Sequence, residues 1–431
     1  MKTHAPGQLM RWDSWTALFA LVLLACSRSA GNAPAAAPPV TALQEAQVLD
    51  ADIAFYERRL TEDPSSAADR ARISSLYLRR SRETGSVEDV ERAADQAERS
   101  LRLREGRNES SWSVLGSARL AQHDFPGALE AARQLVRLAP EQPSHRAFLA
   151  EVLLELGRYA ESDSLFQTVE SHSSSLSVAP RLVRWYEING HLGRARVLAL
   201  HALDLARAQR EVPAEQVAWF HLRAGDIAVK SGDLRAADSL YELGLATRPG
   251  DYRLLAARAR VASREGRWQD AIAYGDSSIA TVLEPATLGI LRDAWLALGD
   301  TVQAEGYAAA MTTSVLLQPG PVHRAWGMHL VEHREQVPEV LRRVRAELKT
   351  RRDVYGYELE ASALHALGRH AEAWASAKRA LSRGTQDEML LRRMATIARS
   401  AGAGDSAMVL EARAAALQPT TARSVPGGMQ P

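Results

Sequence analysis

A turn signal recurs along almost the whole chain at a nearly constant spacing. Gly157, Gly190, Gly232, Gly266, Gly299, Gly368 and Gly402 stand between apolar helical segments, and His123 and His333 fill two gaps in the series. From His123 onward the steps are almost equal, and only the step from Gly190 to Gly232 is clearly longer. Five residues after each turn but one comes a small side chain: Ala128, Ser162, Ala195, Ala237, Ala271, Ala304, Ala373 and Ala407. A period of this length marks stacked helix pairs, because one pair cannot bury its apolar face alone and needs its neighbours to cover it. The expectation is an all-α chain, a right-handed α-solenoid of antiparallel helix pairs.

Each feature of the unit has a steric reason. In the unit around His123, Trp112, Leu115 and Gly116 share one face of a first helix, and Ala128, Ala132 and Leu135 share one face of a second. The small residue marks the closest crossing of the two helices, where a bulky side chain would pry them apart. The larger residue two positions after the turn (Phe125, Tyr159, Leu192, Leu234, Trp268) fills the space between neighbouring units. Pro140, Pro249 and Pro419 lie equally far beyond their turns at His123, Gly232 and Gly402. They end the unit, since proline cannot continue a helical hydrogen-bond ladder. Two regions depart from the pattern. The long step between Gly190 and Gly232 predicts an extended helix around 198–208 and a loop at Val212-Pro213. Pro338 stands where the small residue belongs after His333, so that second helix should start late or kink. The unit around Gly85 is irregular and is expected to cap the stack.

These units resemble tetratricopeptide repeats. Trp112, Leu115, Gly116 and Pro140 carry the resemblance in one unit, Gly157, Tyr159 and Phe166 in the next, and Gly225, Ala237, Tyr241 and Pro249 in a third. It covers roughly residues 60–419. The implied organisation is a superhelix of about ten repeats over residues 46–419 and a tail over 420–431.

The amino terminus carries a second signal. Lys2 and Arg11 precede the apolar run Ala17–Ala25, which is too short to span a bilayer as a helix but suits the core of a secretory signal. Leu23-Leu24-Ala25-Cys26 resembles the bacterial lipobox, whose cysteine becomes the lipidated first residue after cleavage. Cys26 is the only cysteine, so an intramolecular disulfide is excluded. The expected layout is a signal peptide at 1–25, lipidation at Cys26, and a flexible Ala/Pro tether at 26–45. The resemblance places the protein in the bacterial cell envelope, lipid-anchored to the outer membrane and facing the periplasm.

Charge narrows the choice of partner. Residues 26–431 carry 51 basic and 51 acidic side chains, so there is no general attraction to nucleic acid or to an anionic membrane surface. The run Arg342, Arg343, Arg345, Lys349, Arg351, Arg352 is read as a solvated helix face.

One motif argues for catalysis. His329-Leu330-Val331-Glu332-His333 is H-x-x-E-H, the inverted zinc motif of one metallopeptidase group. On a helix the two histidines lie one turn apart and can share a metal, with Glu332 as base and a distant third ligand such as Glu411. Against this, the motif coincides with the end of a first helix in the repeat register, and His333 falls on the turn. Nucleotide-binding glycine loops and the G-x-S-x-G elbow are absent. The expectation is a chain that is not an enzyme and needs no cofactor or metal.

In the repeat family, first helices line a concave groove. Projected on that pattern, Glu151, Arg184, Asp226, Arg260 and Asp293 occupy equivalent groove sites with alternating signs, and Trp219 is an apolar anchor. They are read either as a charge ladder that stabilises the stack or as a surface for a protein partner of mixed charge. The function read from the sequence is a protein-interaction scaffold or adaptor without a small-molecule substrate. Two alternatives stand beside it: a zinc metallohydrolase built on residues 329–333, and a soluble cytoplasmic adaptor.

Overall fold

The computed structural model describes residues 42–317 and 324–417. Cys26, the signal segment and the tail at 420–431 lie outside the described residues. Among the described residues all regular structure is helical, with twenty-one α-helices and one single-turn 3-10 helix at Glu170–His172. Helix α1 (Ala42–Glu62) precedes a series of antiparallel pairs. The first pairs are α2 (Ala67–Thr84) with α3 (Val87–Leu103), α4 (Glu109–Ala121) with α5 (Phe125–Leu138), and α6 (Pro143–Glu155) with α7 (Tyr159–Val169). Next come α8 (Ala179–Ile188) with α9 (Leu192–Ala208), α10 (Ala214–Lys230) with α11 (Leu234–Thr247), and α12 (Tyr252–Arg264) with α13 (Trp268–Ile279). The last are α14 (Pro285–Ala297) with α15 (Thr301–Leu317), α16 (Arg324–Glu332) with α17 (Val337–Glu347), α18 (Val354–Ala366) with α19 (His370–Ala380), and α20 (Glu388–Ser400) with α21 (Gly404–Leu417). The first helices of most successive pairs also touch one another, which stacks the pairs into a superhelix.

Local chemistry sets the ends of these helices. Aspartates cap several first helices: Asp251, Asp353 and Asp387 each accept from backbone N–H groups of the turn that follows. Every glycine of the periodic series has positive φ, and His123 adopts the same left-handed backbone at φ 59°. The turn after α16 differs from expectation. Its left-handed residues are Arg334, at φ 59°, and Gln336, at φ 47°, while the His333 N–H still donates to the His329 carbonyl at 3.0 Å. His333 therefore keeps the helical register, and α17 starts late with Pro338 in its first turn.

The small residues after each turn are all at most 1% exposed. Gly225 shows the same constraint from the first helix, since a Cβ there would lie 2.2 Å from the Tyr241 ring. The long step between Gly190 and Gly232 is absorbed by α9, which runs to Ala208, and by a loop that ends at Pro213. The pair around Gly85 is a regular hairpin of two long helices, contrary to the expected irregularity, and α1 stands outside it.

Contacts far apart in sequence add a second level of order. A Cβ on Gly85 would meet Val282, one on Gly157 the Arg352 carbonyl, and one on Gly190 the Gly384 carbonyl. In each case the turn inside one pair sits on the linker that follows the fifth pair after it. The superhelix is thus wound tightly enough for one coil to rest on the next. Hydrogen bonds close the seam: Arg352 N–H donates to the Leu156 carbonyl (3.1 Å), and the Thr385 hydroxyl to the Ile188 carbonyl (2.6 Å). At the amino-terminal end the Glu45 carboxylate accepts from the Ala214 N–H at 3.0 Å. The core reflects this, because one continuous cluster of buried residues runs from Ala147 to Ala414 and includes residues of both coils. Phe166 lies wholly inside it.

Candidate functional site

The groove sites share one register position, six residues before the turn of their unit. The structure places all five on first helices and gives each an ion-pair or hydrogen-bond partner. Glu151 on α6 accepts from Arg181 on α8 at 2.8 Å. Asp226 on α10 accepts from the Tyr241 hydroxyl (3.0 Å) and from Arg223 (3.2 Å), and the Arg260 guanidinium stands 3.9 Å away. Asp226 and Arg260 are thus adjacent rungs of the expected ladder. Arg184 donates instead to Glu155 (3.0 Å) and Glu187 (2.6 Å) and lies over the ring of Tyr355 in the next coil. Asp293 pairs with His333 at 2.8 Å.

Around Arg184 the seam becomes a buried ion cluster. Glu187 is fully buried and faces Arg184, Arg223 (3.2 Å) and Lys230 (3.3 Å), and its Oε1 also accepts from the Tyr355 hydroxyl at 3.2 Å. Burial alone would push the Glu187 carboxyl up, but Arg184, Lys230 and Arg223 outweigh it and hold it well below the usual range. Lys230 also donates to Asp387 of the next coil at 2.8 Å. The Tyr355 hydroxyl, desolvated here, is pushed up to about 12. The basic run beginning at Arg342 is likewise more than a solvated face. Arg342 and Arg343 pair with Glu339, but Arg351 is buried between Glu155, Glu347 and Asp353. Only 11% of the Arg351 side chain is exposed, and it locks α6 to the linker before α18.

Two of the openings among the described residues bear on the groove. Glu151 and Trp219 line one of about 380 Å³, together with Arg79, Arg181, Leu176 and Phe220. Trp219 is half-buried there against the main core. The other, of about 290 Å³, lies between α16, α18 and α20. Its apolar wall is Met328, Val331 and Ile397, and Glu332 bonds to Arg393 beside it at 2.6 Å. Ser362 and Thr396 line it at the same register position as Glu151 and Asp293. Extending the groove series three units further would have found them. The Ser362 hydroxyl and the His365 Nδ1 are buried there without a hydrogen-bond partner among the described residues.

The H-x-x-E-H segment takes a form that the sequence did not suggest. His329 and His333 lie on one face of α16 with ring centroids 4.4 Å apart. The third group is Asp293 on α14. The Asp293, His329 and His333 side chains each bring one candidate ligand atom within 4.8 Å of the other two. Glu411 pairs with Arg399 and is not part of the cluster. Glu332 is held by Arg393 and takes no part either. Burial, then His333 and Arg292, lower His329 to about 4 and keep it neutral near pH 7. Burial raises the Asp293 carboxyl, and His333 opposes that rise.

Two segments, 113–169 and 222–281, match the tetratricopeptide repeat family model. No curated protein matches the chain. Among solved structures, a human IFIT1 dimer with m7Gppp-AAAA is 17% identical with a TM-score of 0.50, covering 74% of this chain and 72% of its own. PilW, described as a widely conserved type IV pilus biogenesis factor, is 18% identical with a TM-score of 0.33, covering 57% of this chain and 92% of its own. The pilF protein of Pseudomonas aeruginosa is 14% identical with a TM-score of 0.39, covering 56% and 99%. The first likeness shows a shared superhelical fold, and the other two are too loose to carry an argument. The two matched segments are thus tetratricopeptide-like, and the periodic turns and buried small residues continue the same helix-pair architecture along the described residues.

Proposed function

We propose that the chain is a non-catalytic protein-interaction scaffold of the bacterial envelope, held to the outer membrane by a lipid on Cys26 and facing the periplasm. Its partner is a protein segment that lies along the first helices. The opening between α16, α18 and α20 carries this reading. It joins an apolar wall to a buried hydroxyl and a ring nitrogen that have no partner among the described residues, and such atoms mark a place where an incoming group gains hydrogen bonds. The cavity beside Trp219 offers a second point of attachment, aromatic and flanked by charges of both signs. Among the described residues no helix is long and apolar enough to cross a membrane, so attachment in this reading falls to the amino terminus.

A photo-crosslinking side chain at Thr396 tests the groove in envelope extracts. Capture of one defined protein, lost when Trp219→Ala is added, is the expected result. Equal capture from position 396 and from an outer-face position such as Val302 would sink the reading. Mass spectrometry of the mature amino terminus tests the anchor separately: a diacylated or triacylated Cys26 is expected, and an intact Met1 would exclude it.

A further inference from the structure

We propose that Asp293, His329 and His333 bind one divalent transition-metal ion, zinc or an ion of similar donor preference, bridging α14 and α16. Two imidazole nitrogens and one carboxylate are a borderline donor set that suits zinc, cobalt or nickel and is poor for calcium or magnesium. The separations are close to those required. Donors bound tetrahedrally at about 2.0–2.2 Å lie about 3.4 Å apart. Here one Asp293 oxygen is 2.8 Å from His333 Nε2, and the other is 3.9 Å from His329 Nδ1. Shifts of about an ångström within ordinary rotamer freedom bring the three donors onto one ion.

The surroundings fit such an ion. The retained helical register at His333 keeps the two rings one turn apart on α16, which a turn at that residue would have lost. Gly289 clears the space for the inner ring, since a Cβ there would stand 2.9 Å from His329 Nδ1. Arg292 donates to His329 Nε2 at 3.0 Å, which leaves the ring proton on Nδ1, the side that faces Asp293. When Nδ1 takes the metal that proton moves to Nε2, and the Arg292 guanidinium turns wholly to Glu335, with which it already pairs at 2.5 Å. His333 and Asp293 are partly exposed, which gives an ion a way in. Three protein donors leave one position for water or a partner side chain. The pair α16/α17 packs loosely on itself, and an ion here would brace its first helix against the preceding pair. This assignment does not use Glu332, so it differs from the hydrolase alternative.

The test is Co²⁺ titration of the full chain, read by visible d–d absorption and by calorimetry, followed by competition with Zn²⁺. One equivalent of Co²⁺ should bind with a tetrahedral spectrum and be displaced by Zn²⁺. Asp293→Asn and His333→Ala should each weaken binding by about 10–100-fold or more, with far-ultraviolet circular dichroism confirming that both remain folded. Glu332→Gln should bind as the parent does. Absence of stoichiometric binding, or binding equally tight in both ligand variants, overturns the site. Loss of binding in Glu332→Gln equal to that in His333→Ala overturns the assignment of Asp293 as the third ligand.

Discussion

A Cβ on Gly190 would stand 2.2 Å from the carbonyl oxygen of Gly384, so two coils of the superhelix meet here backbone to backbone. Gly402 has the same left-handed conformation, at φ 78°, with nothing within 4 Å of a Cβ. Comparing the two separates conformation from contact. Gly402→Ala should cost about 1–2 kcal/mol, the strain of a left-handed alanine. Gly190→Ala should cost about 1–3 kcal/mol more, because the coils must part. Urea melts followed by circular dichroism check this, and equal midpoints for the two variants would remove the seam from the argument.

Lys230 is the next place to probe the seam, since it serves Glu187 on one coil and Asp387 on the other. Lys230→Met keeps the apolar stem and leaves two buried carboxylates short of a cation. A loss of about 3–5 kcal/mol is expected for a broken buried ion cluster. Lys230→Arg should recover only part of it, because the fork of a guanidinium does not fit the space of an ammonium. Thermal melts give the ranking.

Two buried serines make opposite predictions. The Ser100 hydroxyl donates to the Ala67 carbonyl at 2.7 Å and has Asn108 and Ser111 as further partners, both at 3.0 Å. Ser100→Ala removes all three bonds, leaving Asn108 only its bond to the Arg104 carbonyl, and should cost about 1–3 kcal/mol. The Ser362 hydroxyl has no partner among the described residues, so Ser362→Ala should change stability by no more than about 0.5 kcal/mol while reducing partner capture. A large stability loss at Ser362 would mean that the hydroxyl is already spoken for within the fold.

Acid should weaken the fold through His221. It is buried on α10 near Arg207 of α9, and its ring interacts with the Leu240 backbone of α11. Burial and then Arg207 depress it below its ordinary 6.5, and the Leu240 contact opposes them only in part. The native state therefore holds fewer protons than the unfolded chain between the depressed value and 6.5. Its contribution is complete above pH 6.5 and shrinks as pH falls through that window. Melting temperatures of the parent should drop as the pH is lowered from above 6.5 to below it, and His221→Gln should flatten that slope. An unchanged slope would assign the effect to other groups.

The repeat was legible because its causes are local. A left-handed turn and a close helix crossing each demand one residue type at one place, and Gly157, Ala128 and Pro338 announce them directly. The long step after Gly190 likewise reports the length of α9 and its loop. The seam was not legible. Its partners, such as Arg351 with Glu155, are ordinary charged residues far apart in the chain, and no period links them. A run of arginines that looked like a solvated face thus hid a buried clamp. The histidine pair was visible, but its third member was not, because Asp293 belongs to the preceding unit and had already been read as a groove charge. The turn also moved by one residue, from His333 to Arg334, a shift that composition does not signal.

The offset of five pairs between a turn and its linker also bears on how such a chain can vary. In an open array one unit can be lost or duplicated, and its neighbours simply close up. Here the excision of any one unit between Gly85 and Gly384 would bring at least one of Gly85, Gly157 and Gly190 opposite the wrong linker. Unit number is thereby locked, as the number of staves is locked once a barrel is hooped. The same seam resists stretching: drawing the ends apart has to break bonds between coils before any helix pair unfolds.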